Sequence, residues 1–166
     1  MIGQTASLSP VPPEQQPINE YQQLKDSWLF CWVTLERPKY LAKLAWVWIW
    51  SWLVSGPVAS ASFPPEKYPV QFLLAGAAGA SLILTLVLLR LYLGWNYVRS
   101  RLASTTVFYE ESGWYDGQTW PKTPEEITKD SLIVNYQVKP LLKRLRKTFY
   151  VLLLPIVVGE IIWWLL

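Results

Sequence analysis

Apolar residues fall into three long blocks, set apart by a polar N-terminus and one long polar insert. The first block runs from about Tyr40 to Ala61 and carries a single charge, Lys43, near its start. The second begins near Val70, stays uncharged through Leu89 and remains rich in apolar and aromatic residues to Val98. The third runs from Phe149 to Leu166 and contains Pro155 and Glu160. A helix needs about 20 residues to cross a hydrocarbon core of about 30 Å. The pattern therefore predicts a mainly α, polytopic membrane protein with three transmembrane helices, at 40–61, 70–98 and 149–166. Gly56-Pro57 is expected to kink or end the first.

Residues 1–17 are polar and carry Pro10, Pro12, Pro13 and Pro17, which predicts an extended arm. Over 18–36, Leu24, Trp28, Cys31, Trp32 and Leu35 recur at helical spacings of three and four. They predict an N-terminal amphipathic helix, on the membrane surface or against the bundle, ended by Arg37-Pro38. The insert, 99–148, predicts a small cytoplasmic β-hairpin followed by a helix. Thr105 to Tyr115 is rich in β-branched and aromatic residues, Asp116-Gly117 is a two-residue turn signal, and Gln118 to Trp120 returns as the second strand, with Ser112-Gly113 as a bulge or rival turn. Thr123-Pro124-Glu125-Glu126 offers an N-cap, a first-turn proline and a capping box. The helix it opens reaches about Val138. A short strand over Val134 to Val138 is the rival, because apolar and polar residues alternate there. Pro140 has no amide to donate, so it kinks or restarts the helix.

Charge orients this plan. Basic residues gather before the first span (Lys25, Arg37, Lys39, Lys43) and in the insert, whereas the first loop holds Lys67 balanced by Glu66. The positive-inside rule then puts the N-terminus and insert on the cytoplasmic or stromal side and the C-terminus opposite. Lys139, Lys143, Arg144, Arg146 and Lys147 form a basic patch suited to anionic lipid, at about 1 kcal/mol per charge near the surface. Nucleic acid is not an expected partner, since the net charge is only +3 and the patch is tied to the membrane. Residues 1–20 lack Lys and Arg, so no targeting peptide is expected.

Composition narrows the chemistry. Of 166 residues, 52% are hydrophobic and 16% charged, too apolar a chain for disorder. There are eleven Trp and no His, which removes the usual metal ligand, general base and haem ligand. Cys31 stands alone and reads as a small hydrophobe. No nucleophile–base pair, phosphate loop or metal cluster is legible, so neither an enzyme nor a metal site is expected. Glu110, Glu111 and Asp116 do not follow calcium-loop spacing and read as solvated hairpin charges.

Glu160 is the sharpest candidate. Counted from Thr148 it lies about 18 Å deep, where a carboxylate costs about 2.5–3.5 kcal/mol on insertion scales. Arg90 sits near the cytoplasmic interface, more than about 10 Å away in depth, and reads as a snorkelling anchor. At matched depth Glu160 faces Ser51, Trp52 and Ser55 of the first span and Gly76 to Gly79 of the second. Three readings stand: a protonated carboxyl bonded to a Ser hydroxyl or Trp N–H, a proton, ion or pigment site, and exposure near the far interface. The pairs Ala75/Gly79 and Gly76/Ala80 read as close helix packing, or else as a dimer face or ligand groove. Trp46/Trp50 and Trp48/Trp52 form two separate stripes, and other aromatics belong to interfacial belts. No cofactor is expected; a pigment or quinone ring stacked on these aromatics is the alternative. The hairpin carries Phe108, Tyr109, Trp114, Tyr115 and Trp120. With Glu110 and Glu111 they make a candidate surface for a membrane-protein partner.

Three stretches carry a resemblance: VPPEQQPINEY from Val11 to Tyr21, FYEESGWYDGQTW from Phe108 to Trp120, and YQVKP from Tyr136 to Pro140. Together they resemble a small membrane-protein family shared by cyanobacteria and plastids, labelled as conserved in the green lineage and diatoms or as a plastid hypothetical reading frame. The resemblance implies a photosynthetic cell and a thylakoid or related membrane, and supplies no reaction or ligand. Architecture and resemblance together predict a non-enzymatic accessory protein that aids assembly, stability or stress protection of a larger complex. The alternative is a binder or carrier of a small hydrophobic or ionic cargo within the bundle.

Overall fold

The computed structural model describes residues 10–110 and 117–165. After a short 3-10 turn, Pro13–Gln15, come helices α1 (Pro17–Asp26), α2 (Arg37–Ser62) and α3 (Pro69–Ala103). Strands β1 (Thr106–Glu110) and β2 (Gly117–Pro121) follow, then α4 (Pro124–Ile133) and α5 (Lys139–Leu165) joined by a π-helical turn, Val134–Val138. Three helices are long and apolar enough to cross a membrane: α2, α3 and the joined helix Pro124–Leu165.

α3 is the spine. Gly76, Ala80, Leu84, Leu88, Leu91, Trp95, Val98 and Leu102 are buried along it at spacings of three and four. At 1.5 Å per residue α3 is about 52 Å long, so it outruns a hydrocarbon core by about 20 Å. The best-packed core gathers on that overhang. Leu91 and Trp95 of α3 are fully enclosed there, with Val33 from the N-terminal region and Val138 and Leu145 from the joined helix. The third long helix, by contrast, buries none of its most apolar stretch inside the chain.

The segment 18–36 is two pieces, not one helix. α1 stops at Asp26, Ser27 turns extended, and a 3-10 helix covers Phe30–Thr34. Donors from other helices stabilise the break. Trp95 Nε1 donates to the Phe30 carbonyl at 3.2 Å, and Arg144 Nη1 donates to the carbonyls of Val33 and Leu35 at 2.8 and 2.6 Å. Backbone acceptors that an α-helix would have used internally are thus satisfied by side chains. The break also lays the Phe30 ring against Gly94, where a Cβ would collide with it.

The prolines act differently. Pro57 does not end α2, which continues to Ser62. Pro140 does not stop the helix: a π turn comes immediately before it, and the α-helix restarts at Lys139. There the Lys139 amide reaches the Val134 carbonyl, five residues back. The wider turn makes room ahead of a residue that has no N–H and whose ring crowds the preceding turn. Val134 to Val138 is therefore helical, with Val134 and Val138 on the buried side and Tyr136 on the exposed one. The capping box forms as expected: Thr123 N donates to Glu126 Oε2 at 2.9 Å and Glu126 N to Thr123 Oγ1 at 3.3 Å.

The hairpin is antiparallel, with Thr106 opposite Pro121 and Glu110 opposite Gly117. Gly117 is a strand residue paired with Glu110, so Asp116-Gly117 is not a two-residue turn, and the rival Ser112-Gly113 turn lies outside the described residues. The Phe108 ring lies where a Gly117 Cβ would stand, so glycine is needed for this cross-strand packing.

Candidate functional site

Two places collect polar chemistry. The first is a cleft of about 430 Å³ between α2, α3 and α5. Trp48 lines it from α2, Leu74, Ala75, Ala77, Ala78 and Ser81 from α3, and Leu152, Pro155, Ile156, Gly159, Glu160 and Trp163 from α5. Trp48 Nε1 donates to Ser81 Oγ at 3.1 Å, so the polar groups at the inner end satisfy each other. Trp163 stands at the other end, edge-on to Phe63 with ring centroids 5.2 Å apart. Glu160 is exposed and makes no hydrogen bond or ion pair among the described residues.

Of the residues expected around Glu160, Ala77 and Ala78 of α3 line the cleft with it, and Ser51, Ser55, Gly76 and Gly79 lie outside the cleft. Those four belong to the α2–α3 contact. A Cβ at Gly76 would fall 2.5 Å from the Trp52 ring, and one at Gly79 would fall 2.8 Å from Ser55 Cβ. Ser51 Oγ turns back to the Val47 carbonyl at 2.7 Å, and buried Ser55 Oγ has no partner in the described structure. The small-residue stripe thus serves close helix packing. Arg90 is no partner for Glu160. It stacks on the Phe30 ring at 5.2 Å and lies about 24 Å along α3 from Leu74 of the cleft. The two Trp stripes are present: Trp46 stacks on Trp50, exposed, while Trp48 and Trp52 turn toward α3.

The second place is the junction of the N-terminal arm, α1, the hairpin and the end of α3. Arg101 holds it together. Its guanidinium makes a two-point ion pair with Glu20 at 3.0 and 3.1 Å, and donates to the Phe108 carbonyl at 2.6 Å and the Gln15 carbonyl at 2.8 Å. The Gln15 amide then pairs with both backbone groups of Glu110, at 2.8 and 2.9 Å, as an adjacent strand would. Nearby, Lys122 is buried beneath the hairpin. Its ammonium donates to the carbonyls of Arg101 and Leu102 at 3.1 Å and to Asp130 Oδ2 at 2.6 Å, closing the end of α3. A cation there also suits the negative end of the helix dipole. Tyr21 bonds Gln137, and burial pushes its hydroxyl above the ordinary phenol range.

This junction redistributes the candidate partner surface. Val107 and Tyr109 are buried and Trp120 is partly buried against Val11, so one face of the hairpin holds the arm. Phe108 and Glu110 point outward, with Phe108 55% exposed. Glu111, Trp114, Tyr115 and Asp116 lie outside the described residues, as do residues 1–9 of the arm. The basic patch also divides. Lys139, Lys143, Arg146 and Lys147 are exposed on α5, whereas Arg144 turns in to the Val33 and Leu35 carbonyls and lies over the Tyr40 ring at 5.4 Å. Among the described residues no group of His, Cys, Asp or Glu is arranged to hold a metal ion. The Glu20–Arg101 and Lys122–Asp130 pairs were not legible in sequence. Nothing local links their members, and Arg101 and Lys122 read there as topology-setting charges.

The family model described as CGLD27-like, conserved in the green lineage and diatoms 27, matches residues 9–151. That span includes the whole junction and stops short of Glu160. The chain is 48% identical to an uncharacterized protein ycf36 of Pyropia yezoensis over 147 residues, 89% of each chain. It is 50% identical to ycf36 of Porphyra purpurea over 139 residues, 84% of each. Against the chloroplastic protein conserved in the green lineage and diatoms 27 of Arabidopsis thaliana, identity is 45% over 83% of this chain and 42% of that one. No solved structure matches. With most of its length matched, the chain belongs to the CGLD27-like family of uncharacterised plastid proteins.

Proposed function

We propose that this chain is a non-enzymatic accessory protein of a photosynthetic membrane, of thylakoid or cyanobacterial inner-membrane type. It aids assembly, stability or stress protection of a larger complex. Its partners are membrane lipids and a membrane-protein complex, and it requires no cofactor. α2, α3 and the joined helix cross the bilayer. The N-terminal arm and hairpin lie on the cytoplasmic or stromal side, and the C-terminus lies opposite.

The observation that carries this reading is the Arg101 junction. It fixes an arm, a short helix and a hairpin as one unit on the overhang of α3, inside the family-matched span. The hairpin lies outside the three long helices and presents Phe108 outward. An exposed aromatic on a braced element suits protein recognition. The test compares two variants in a photosynthetic host. Trp114→Ala/Tyr115→Ala abolishes accumulation of the partner complex, and Glu160→Gln leaves it intact. The reverse pattern favours cargo carriage.

A further inference from the structure

We propose that the cleft between α2, α3 and α5 binds a long apolar molecule ending in a hydroxyl or amine, with Glu160 accepting the hydrogen bond from that end. The site rests on the membrane placement above and is independent of the accessory role. Three observations carry it.

The first is shape. The cleft holds about 430 Å³, within the range of about 300–1,000 Å³ usual for small-molecule sites. Ala75, Ala78 and Gly159 keep its walls low, and no residue in the most apolar stretch of α5 is fully buried inside the chain.

The second is polarity. Trp48 and Ser81 satisfy each other at the inner end, and the walls between are apolar. Glu160 is the one charged residue among the described lining, and it has no donor from the described chain. Lipid tails have no donor to offer, and an unpaired carboxylate in an apolar setting is costly. A terminal hydroxyl or amine supplies what is missing, while its apolar body fills the remainder.

The third is exclusion by chemistry. No cation lines the cleft, so an anionic ligand meets repulsion from Glu160 without compensation.

The experiment uses the full chain in neutral phospholipid nanodiscs. Three photoreactive probes carry the same diazirine-bearing hexadecyl chain and end in an alcohol, an amine or a methyl ether. The ether lacks the donor. The proposal predicts that the alcohol, the amine or both cross-link to residues 74–81 and 152–163 about tenfold more than the ether, the equivalent of one hydrogen bond to a charged group. Comparing the alcohol with the amine identifies the head group. Glu160→Leu removes that preference, Glu160→Gln lowers it, and Ala78→Trp, which fills the cleft, blocks all three probes. Equal labelling by ether and donor probes in the parent chain overturns the proposal. So does a preference unchanged in both Glu160 variants, or cross-linking that maps elsewhere. Photo-cross-linking of a second chain's helix across the cleft mouth in place of the probes also overturns it. A chain that stays outside the discs overturns the membrane placement and this site with it.

Discussion

Arg101 and Glu20, 81 positions apart, meet in a two-point ion pair whose side chains are only 16% and 17% exposed. The same guanidinium binds the carbonyls of Gln15 and Phe108, so one residue ties the arm, α1 and β1 to the end of α3. Replacing Arg101 with Met strands a largely enclosed Glu20 and frees two carbonyls. Breaking a buried pair costs about 3–5 kcal/mol, and the partial exposure here brings the expected loss nearer 2–3 kcal/mol. Hydrogen exchange checks this. Amides of residues 10–26 and 106–110 lose protection together, while those of the α3 core at Leu84 to Leu91 do not.

Lys122 carries a second cost. Its side chain is 2% exposed and donates to Asp130 and to two carbonyls at the end of α3. Lys122→Met leaves Asp130 without its cation and lowers stability by about 3–5 kcal/mol. The double variant Lys122→Met/Asp130→Leu recovers a large part of that, because both charges are then gone. Thermal unfolding followed by circular dichroism, in one detergent, gives the comparison.

Cys31, the single thiol, sits in the 3-10 segment that Arg144 and Gly94 hold in place. Arg144→Met removes two charge-assisted hydrogen bonds, and Gly94→Val pushes the Phe30 ring out. Either variant is expected to speed maleimide modification of Cys31 about tenfold, the effect of losing one such bond from the local opening equilibrium. An unchanged rate in both variants argues that the Trp95–Phe30 carbonyl hydrogen bond and the packing of Val33 fix the segment without them.

The topology is checked with thiols placed one at a time. In a Cys31→Ser background, Glu66→Cys and Glu125→Cys are expected to label from opposite sides of a sealed vesicle. Labelling from the same side contradicts the three-span orientation.

How much of this was readable beforehand follows from how local each signal is. The three apolar blocks, the two Trp stripes and the Thr123–Glu126 capping box depend on neighbours within a few turns, and each appears as the pattern implied. The break at Ser27 and the π turn before Pro140 did not follow from local pattern. The break depends on donors from Trp95 and Arg144, far along the chain. The alternation of Val134, Tyr136 and Val138 mimics a strand, yet a widened helical turn buries the same two valines. For the site, Ala77 and Ala78 of the expected Gly76–Gly79 stretch share the cleft with Glu160, but the two glycines do not. Gly76 and Gly79 face α2, and only the rotation of α3 about its axis, set by Trp52 and Ser55, decides that. The inward turn of Tyr109 and Trp120 likewise depends on Val11, which reaches the hairpin from the N-terminal arm.

The central claim is that the arm–hairpin junction serves a larger membrane complex. Mild-detergent co-purification of the intact chain from photosynthetic membranes, read by mass spectrometry, tests it most directly. The account predicts a reproducible set of membrane-complex subunits recovered with the parent chain and lost with Phe108→Ala combined with Arg101→Met. Recovery of the chain alone, at stoichiometric yield, contradicts it.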